Sequence, residues 1–259
     1  MHAICDDLLL EHADLDSVVS SISEDDWSSA TPAAGWSVRD QISHLWFFDV
    51  RALMALTDPE EFARDKEVLL SSGGTDASVE PGRTMSGADL LTLWRVDRAR
   101  LLEAARQVEP SARIPWYGPS MAARSFITAR LMETWAHGQD VVDALGVGRA
   151  PSARLRHVAH IGVRARPFSY AVNGLTLPDA DVRVELEAPD GSQWEWGDSA
   201  TDVVRGTALD FCLVVTQRRH RLDTSLEVSG AAATEWISIA QAFAGPAGGG
   251  RAAGSFPRR

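Results

Sequence analysis

Two cysteines in 259 residues exclude a disulfide framework, and neither Cys5 nor Cys212 stands in surroundings that would activate it. Cys212 lies within Leu209-Asp210-Phe211-Cys212-Leu213-Val214-Val215, an apolar setting that raises a thiol pKa and argues for a core residue rather than a nucleophile. Long apolar runs are missing as well. Stretches such as Leu45 to Phe48 fall far short of the roughly 18 residues a membrane span needs. Basic blocks are scarce: with 25 Lys+Arg against 36 Asp+Glu the net charge is -11, and the longest cluster considered is Arg218-Arg219. A phosphate backbone or an anionic membrane surface is therefore not an expected partner. The segment from Met1 to Asp7 reaches two acids without a basic stretch, so the expected location is the cytoplasm. No internal repeat is present.

What remains is an ordinary globular composition, 45% hydrophobic and 24% charged, of a length that suggests about two domains. From Asp6 to about Ile22 apolar residues recur at helical spacing and predict a first amphipathic helix. Thr31-Pro32-Ala33-Ala34-Gly35 is turn chemistry, after which Ser37 and Asp40 form a capping box that opens a second helix to about Leu56. Asp58-Pro59, and then Ser71 to Arg83 with Gly73, Gly74, Pro81 and Gly82, predict a long polar loop, of a length at which a loop is either mobile or lies over a site. Ser86 and Asp89 cap a third helix that should end near Pro110. A fourth runs from Ser120 to about Leu145 and is closed by Gly146. Four long helices predict a bundle over residues 1–150.

Beyond Pro151 the pattern mixes periods, so the expected class is α+β, a helical bundle followed by a smaller domain over 151–245. A short helix is predicted near Leu155 to Val163, and Val182 to Leu186 with Gln193 to Trp196 reads as a β-hairpin. Thr201 to about Thr216 is predicted helical, Ser225 to Val228 a strand, and Ala231 to Phe243 a helix. The glycine-rich tail, residues 246–259, is expected to be disordered.

One constellation can carry chemistry. Glu133 and His137 stand four apart on the fourth helix and project from one face, the spacing at which a helix offers two ligands to one metal ion. His44, on the second helix, can face them across an antiparallel bundle. Two imidazoles and a carboxylate make the open three-ligand set of catalytic zinc and equally the facial triad of non-haem iron. A Glu133 carboxylate buried between two histidines would also call for a cation. By spacing alone, a chance Glu/His pair on a helix is the commoner occurrence.

The surrounding residues add to this. Trp36-Ser37-Val38-Arg39-Asp40-Gln41-Ile42-Ser43-His44-Leu45, after Thr31 to Gly35, resembles the signature of the DinB-like superfamily, and Glu133-Thr134-Trp135-Ala136-His137-Gly138-Gln139-Asp140 resembles its second metal segment. Within it the chain is most similar to the actinobacterial, mycothiol-dependent maleylpyruvate isomerase-like branch. That resemblance implies a DinB-like bundle binding a divalent metal, usually zinc, on His44, Glu133 and His137, followed by a C-terminal α/β domain. It implies mycothiol or a similar thiol as cosubstrate. The thiolate would add to a conjugated cis alkene of a small electrophile, the adduct would rotate, and elimination would return the trans isomer. An S-transferase would stop after addition.

With both cysteines reading as structural, an external thiol would fill a role the chain leaves vacant. Negative charge developing on the substrate needs a cation, and Arg218, Arg219 and Arg221 are candidates, one of them sufficing, against an equal expectation of arginines answering a helix C-terminus. A metal-bearing small-molecule binder and a thiol-independent metal hydrolase remain alternatives, as do iron or nickel for zinc and a monomer or a homodimer. Asp140 is expected mainly as an exposed helix residue, His12, His157 and His160 as structural, and Trp46 and Trp135 as core. Arg39 and Arg124 could meet a substrate carboxylate, though nothing in the sequence selects them.

Overall fold

The computed structural model describes residues 1–71 and 77–257. The chain divides into two compact units, Met1–Arg149 and Ala150–Arg259.

In the first unit, α1 (His2–Val19), a single 3-10 turn (Asp26–Ser28), α2 (Val38–Thr57), α3 (Pro59–Ser71), a one-turn α4 (Glu80–Arg83), α5 (Gly87–Gln107) and α6 (Ala123–Leu145) follow in order. A two-residue ribbon, β1 (Arg113–Ile114) with β2 (Met121–Ala122), precedes α6. Helices α1, α2, α5 and α6 pack around a common core. Leu15, Ile42, Leu45, Leu90, Trp94 and Val141, one or more from each helix, are buried together there. The Ser37 cap forms as its residues dictate: Ser37 N–H donates to Asp40 Oδ2 at 2.8 Å and Asp40 N–H to Ser37 Oγ at 3.2 Å.

Helix α3 is the longest of the elements the sequence reading missed, α8 being another. Asp58-Pro59 opens it rather than a loop, because proline suits the first helical position and Asp58 Oδ1 accepts the Glu61 N–H at 2.9 Å. Only Phe62 and Leu69 of α3 are buried, too few apolar residues for a legible period. Of the long loop expected over Ser71 to Arg83, residues 72–76, with Gly73 and Gly74, lie outside the described residues. Its second half is not loop alone, since it contains α4.

One polar layer crosses the apolar core, with a side chain from each bundle helix. Asp49 of α2, fully buried, accepts hydrogen bonds from Arg130 Nε of α6 at 3.0 Å and from Trp94 Nε1 of α5 at 2.9 Å. His12 of α1 sits with Nε2 3.6 Å from Asp49 and neither ring nitrogen hydrogen-bonded among the described residues. Burial pushes the His12 pKa down from the usual 6.5 to about 4, against the pull of Asp49 and Asp16 and with the push of Arg98 and Arg130. Between those two values the unfolded chain binds the proton that the fold refuses, so stability is expected to fall as pH drops from 6.5 towards 4. The expected loss is about 3 kcal/mol. Urea denaturation at a series of pH values checks it. A slope unchanged in His12→Leu would show that His12 is not its source.

The second unit holds α7 (Leu155–Arg164), α8 (Arg166–Val172), β3 (Arg183–Glu187), β4 (Gln193–Trp196), β5 (Val203–Thr207), α9 (Ala208–Val215), a 3-10 turn (Arg221–Asp223), β6 (Glu227–Ser229) and α10 (Ala231–Ile239). The sheet order is β4-β3-β5-β6, with the β3–β4 hairpin antiparallel, β5 parallel to β3 and β6 antiparallel to β5. Thr201 to Thr216 is therefore not one helix. Its first part pairs as β5, and only from Ala208, capped by Thr207 Oγ1 accepting the Asp210 N–H at 3.1 Å, does α9 run. A short apolar run has no period that separates a buried strand from a helix, and pairing with β3 decides it. Helix α10 likewise stops at Ile239, short of Phe243.

Residues 246–257 carry no regular secondary structure, and hydrogen bonds link this segment to the rest of the second unit. Gly254 N–H donates to Asp223 Oδ1 at 2.7 Å, and Gln241 Nε2 donates to the Pro246 carbonyl at 3.1 Å. Among the described residues no helix is long and apolar enough to cross a membrane.

Candidate metal centre

The capping box starts α2 at Val38 and so sets His44 two turns into the helix, on the stripe Gln41, His44, Phe48. On α6, Glu133 and His137 share one face, with Glu133 Oε2 3.3 Å from His137 Nε2. The two helices bring the three side chains together, and one ligand atom from each of His44, Glu133 and His137 lies within 4.8 Å of the other two. Both histidines are 8% exposed. Glu133 is not buried as the sequence argument supposed: its side chain keeps 24% exposure. Desolvation therefore asks less for a cation than expected, while the exposed carboxylate leaves the centre open on one side.

Each imidazole is held through its Nδ1. His44 Nδ1 lies 2.8 Å from Ser78 Oγ, and His137 Nδ1 lies 2.5 Å from Gln41 Oε1. Ser78 comes from the segment before α4, which is fastened to α2: Ser43 Oγ donates to the Ser78 carbonyl at 2.8 Å, Gly82 N–H donates to Ser43 Oγ at 3.1 Å, and Arg83 Nε donates to Asp40 Oδ1 at 2.8 Å. Only glycine fits at 82, since a Cβ there would come 2.4 Å from Ser43 Cβ. The described part of that segment, from Ser78 to Arg83, thus lies against α2 beside the site.

Aromatic rings surround the pair. Trp36 stacks on His137 with 5.9 Å between centroids and 16° between planes, and lies 5.0 Å from His44. Phe48 lies 4.7 Å from the His44 ring and 5.6 Å from Tyr117. Gly35 takes φ +79°, the left-handed region, just before Trp36. The sequence reading quoted Trp36 and Gln41 within a motif and assigned neither a role. Their spacing from His44, eight and three residues, was the signal available.

The donor set fits a metal. With Nδ1 of each histidine engaged by a hydrogen-bonding partner, Nε2 is the nitrogen left to coordinate, and two imidazoles with one carboxylate are the ligands of an open zinc site.

The other residues singled out fall elsewhere. Asp140 is fully buried, not exposed. Trp135 is buried, and Trp46 Nε1 donates to Asp97 Oδ2 at 2.9 Å. Arg39 pairs with Glu24 at 2.6 Å and donates to the Met85 carbonyl, and Arg124 is exposed on the first turn of α6. Cys5 and Cys212 are buried with their thiol pKa values raised by burial. His160 Nδ1 accepts from Trp196 Nε1 at 3.3 Å.

Arg218, Arg219 and Arg221 belong to the second unit, at the turn after α9. Arg218 donates to the Thr216 carbonyl at 2.7 Å. Arg219, 5% exposed, lies over the Phe256 ring 3.5 Å from its centroid. Among the described residues the Arg221 guanidinium makes no hydrogen bond or ion pair.

The profile of the mycothiol maleylpyruvate isomerase N-terminal domain matches residues 8–142. An uncharacterized protein of Mycobacterium tuberculosis strain CDC 1551 is 46% identical over 248 residues, which is 95% of this chain and 96% of that one, and the counterpart from a second strain matches equally. The crystal structure of the mycothiol-dependent maleylpyruvate isomerase superposes with a TM-score of 0.59 over 84% of this chain and 89% of that one, at 17% identity. A mutant of the same enzyme gives 0.58 at 16%. At such identity the likeness is one of fold.

Proposed function

The chain belongs to the mycothiol maleylpyruvate isomerase family, and on that premise we propose that it is a thiol-dependent isomerase whose first unit holds one zinc ion on His44, Glu133 and His137. The observation that carries this reading is the convergence of those three groups from α2 and α6, with both Nδ1 atoms already engaged. When bound, zinc supplies positive charge that favours thiolate over thiol at neutral pH. The thiol comes from outside, because burial holds both protein cysteines in the protonated form.

In the reaction, the thiolate sulfur forms a bond to one carbon of a conjugated cis alkene, and the electron pair moves to the substrate carbonyl. The former double bond, now single, rotates. Return of the electron pair expels the thiolate and leaves the trans alkene, with no net oxidation or reduction. This chain contributes in two ways. Trp36, stacked on His137, and Phe48, against His44, keep water from the imidazoles and offer a flat apolar wall to an unsaturated substrate. Glu133 remains partly open, giving the thiol a way in.

Elemental analysis of the purified protein, with calorimetric titration of mycothiol and a turnover assay on small cis-unsaturated acids, tests the reading. About one equivalent of zinc, as a single three-ligand site requires, together with mycothiol binding and turnover that needs it, is the expected result. Zinc with thiol-independent hydrolysis would replace the isomerase by a hydrolase, zinc with neither thiol binding nor turnover would point to a ligand carrier, and no zinc would remove the metal.

A further inference from the structure

We infer that Thr31 and Gln41 form a relay that selects which nitrogen of His137 carries its lone pair, and so are positioning residues for the proposed metal centre. This rests on the metal reading only for its purpose, since the relay itself is a property of the hydrogen bonds.

The relay starts at a backbone carbonyl, which can only accept. Trp36 C=O is fixed by the short return of the chain between Ala30 and Ser37, in which Thr31 N–H donates to it at 2.8 Å. The Thr31 hydroxyl lies 2.8 Å from the same oxygen and gives it its one proton. The 3.4 Å approach of that hydroxyl to the Ala33 carbonyl is a weaker outlet for the same proton. Having spent it, Thr31 Oγ1 can only accept, so the Gln41 group 3.0 Å away is the amide NH2. That choice turns Gln41 Oε1 towards His137 at 2.5 Å. An amide oxygen only accepts, so His137 Nδ1 carries the hydrogen, and in the neutral ring Nε2 carries the lone pair.

Glu133 Oε2, 3.3 Å from Nε2, favours a proton on Nε2, which is the wrong tautomer for coordination. The relay opposes it through a shorter hydrogen bond to a side chain that is fully buried and cannot turn its amide over without bringing two acceptors together at Thr31 and, in this tautomer, two donors at His137. His44 differs. Its partner Ser78 is a hydroxyl, able to donate or to accept, so that bond orients the ring without choosing a tautomer. The structure thus gives one ligand a fixed tautomer and the other an adaptable one.

Two readouts test the inference. The first is the tautomer of His137 in the metal-free protein, from long-range 15N–1H correlation at a pH where the ring is neutral. Wild type is expected to hold the proton on Nδ1, and Gln41→Leu to lose that preference. A proton on Nε2 in wild type, or a tautomer unchanged in Gln41→Leu, overturns the relay, whether or not zinc binds. The second is zinc affinity by chelator competition. Loss of an outer partner of a metal-binding histidine predicts a roughly 10- to 100-fold weakening in Gln41→Leu. Thr31→Val should weaken zinc to a smaller degree and Thr31→Ser should restore it, whereas equal affinities across the set overturn the relay. Circular dichroism of each variant separates a lost tautomer from a lost fold. A wild-type protein that binds no zinc but holds Nδ1–H refutes the metal and leaves the relay standing.

Discussion

Replacing His137 by alanine is expected to strip the first unit of its metal while leaving a folded, helical protein. Removal takes away one of three ligands, and with it the pair that α6 contributes within 3.3 Å. Zinc affinity should fall by more than the ~100-fold that an outer partner alone can cost, and thiol-dependent turnover should fall with it. Fold should survive, because His137 packs against Trp36 and His44 at the open side of the bundle, and the apolar core, with Ile42, Leu45, Trp94 and Val141, is untouched. His44→Ala should behave alike. Metal content by emission spectroscopy with thermal melts of the same samples checks both. Zinc retained in both variants would mean that the ion sits elsewhere.

Asp49→Ala is expected to act in the opposite way, on the fold first. Asp49 accepts from Arg130 at 2.9 Å and from Trp94 at 2.9 Å, and with it gone a guanidinium 4% exposed and an indole N–H lose their partner in the core. Breaking one side of such a buried pair costs about 3–5 kcal/mol, most of it the desolvated charge left behind. Chemical denaturation should register a loss of that size. Replacing both partners, Asp49→Leu with Arg130→Met, should recover most of it, because two apolar side chains leave no orphan charge. The double variant would then report on the site: Arg130 stands two turns before His137 on the same face of α6. If the polar layer serves to fix the register of α6 against α2, the double variant is stable yet binds zinc less tightly. If it binds zinc normally, apolar packing alone sets the register.

The bundle was legible because its information is local. Ser37 with Asp40 and Ser86 with Asp89 are capping signals within four residues, and both caps form where the residues ask for them. Glu133 and His137 share a face by a spacing that any helix provides, and the motif resemblance around them, not the spacing, singled them out. The β3–β4 hairpin follows from alternation and a turn. Where no local period exists the reading failed. Helix α3 buries two apolar residues only, and β5, Val203–Thr207, has two valines followed by Arg205, Gly206 and Thr207, too few apolar residues for a period.

The sequence by itself thus determined the main helices, the α+β class and the identity of the three candidate ligands, because capping, periodicity and the motifs around those ligands are each contained within a few residues. Tertiary structure alone decided what surrounds those ligands. Ser78 reaches His44 across 34 positions and Gln41 reaches His137 across 96, and each hydrogen bond depends on where a distant backbone comes to rest. The same holds for the Asp49 layer, whose carboxylate meets a tryptophan 45 and an arginine 81 residues away. A polar side chain does not announce its partner. Burial makes it find one, and only the packed fold determines which group is within reach.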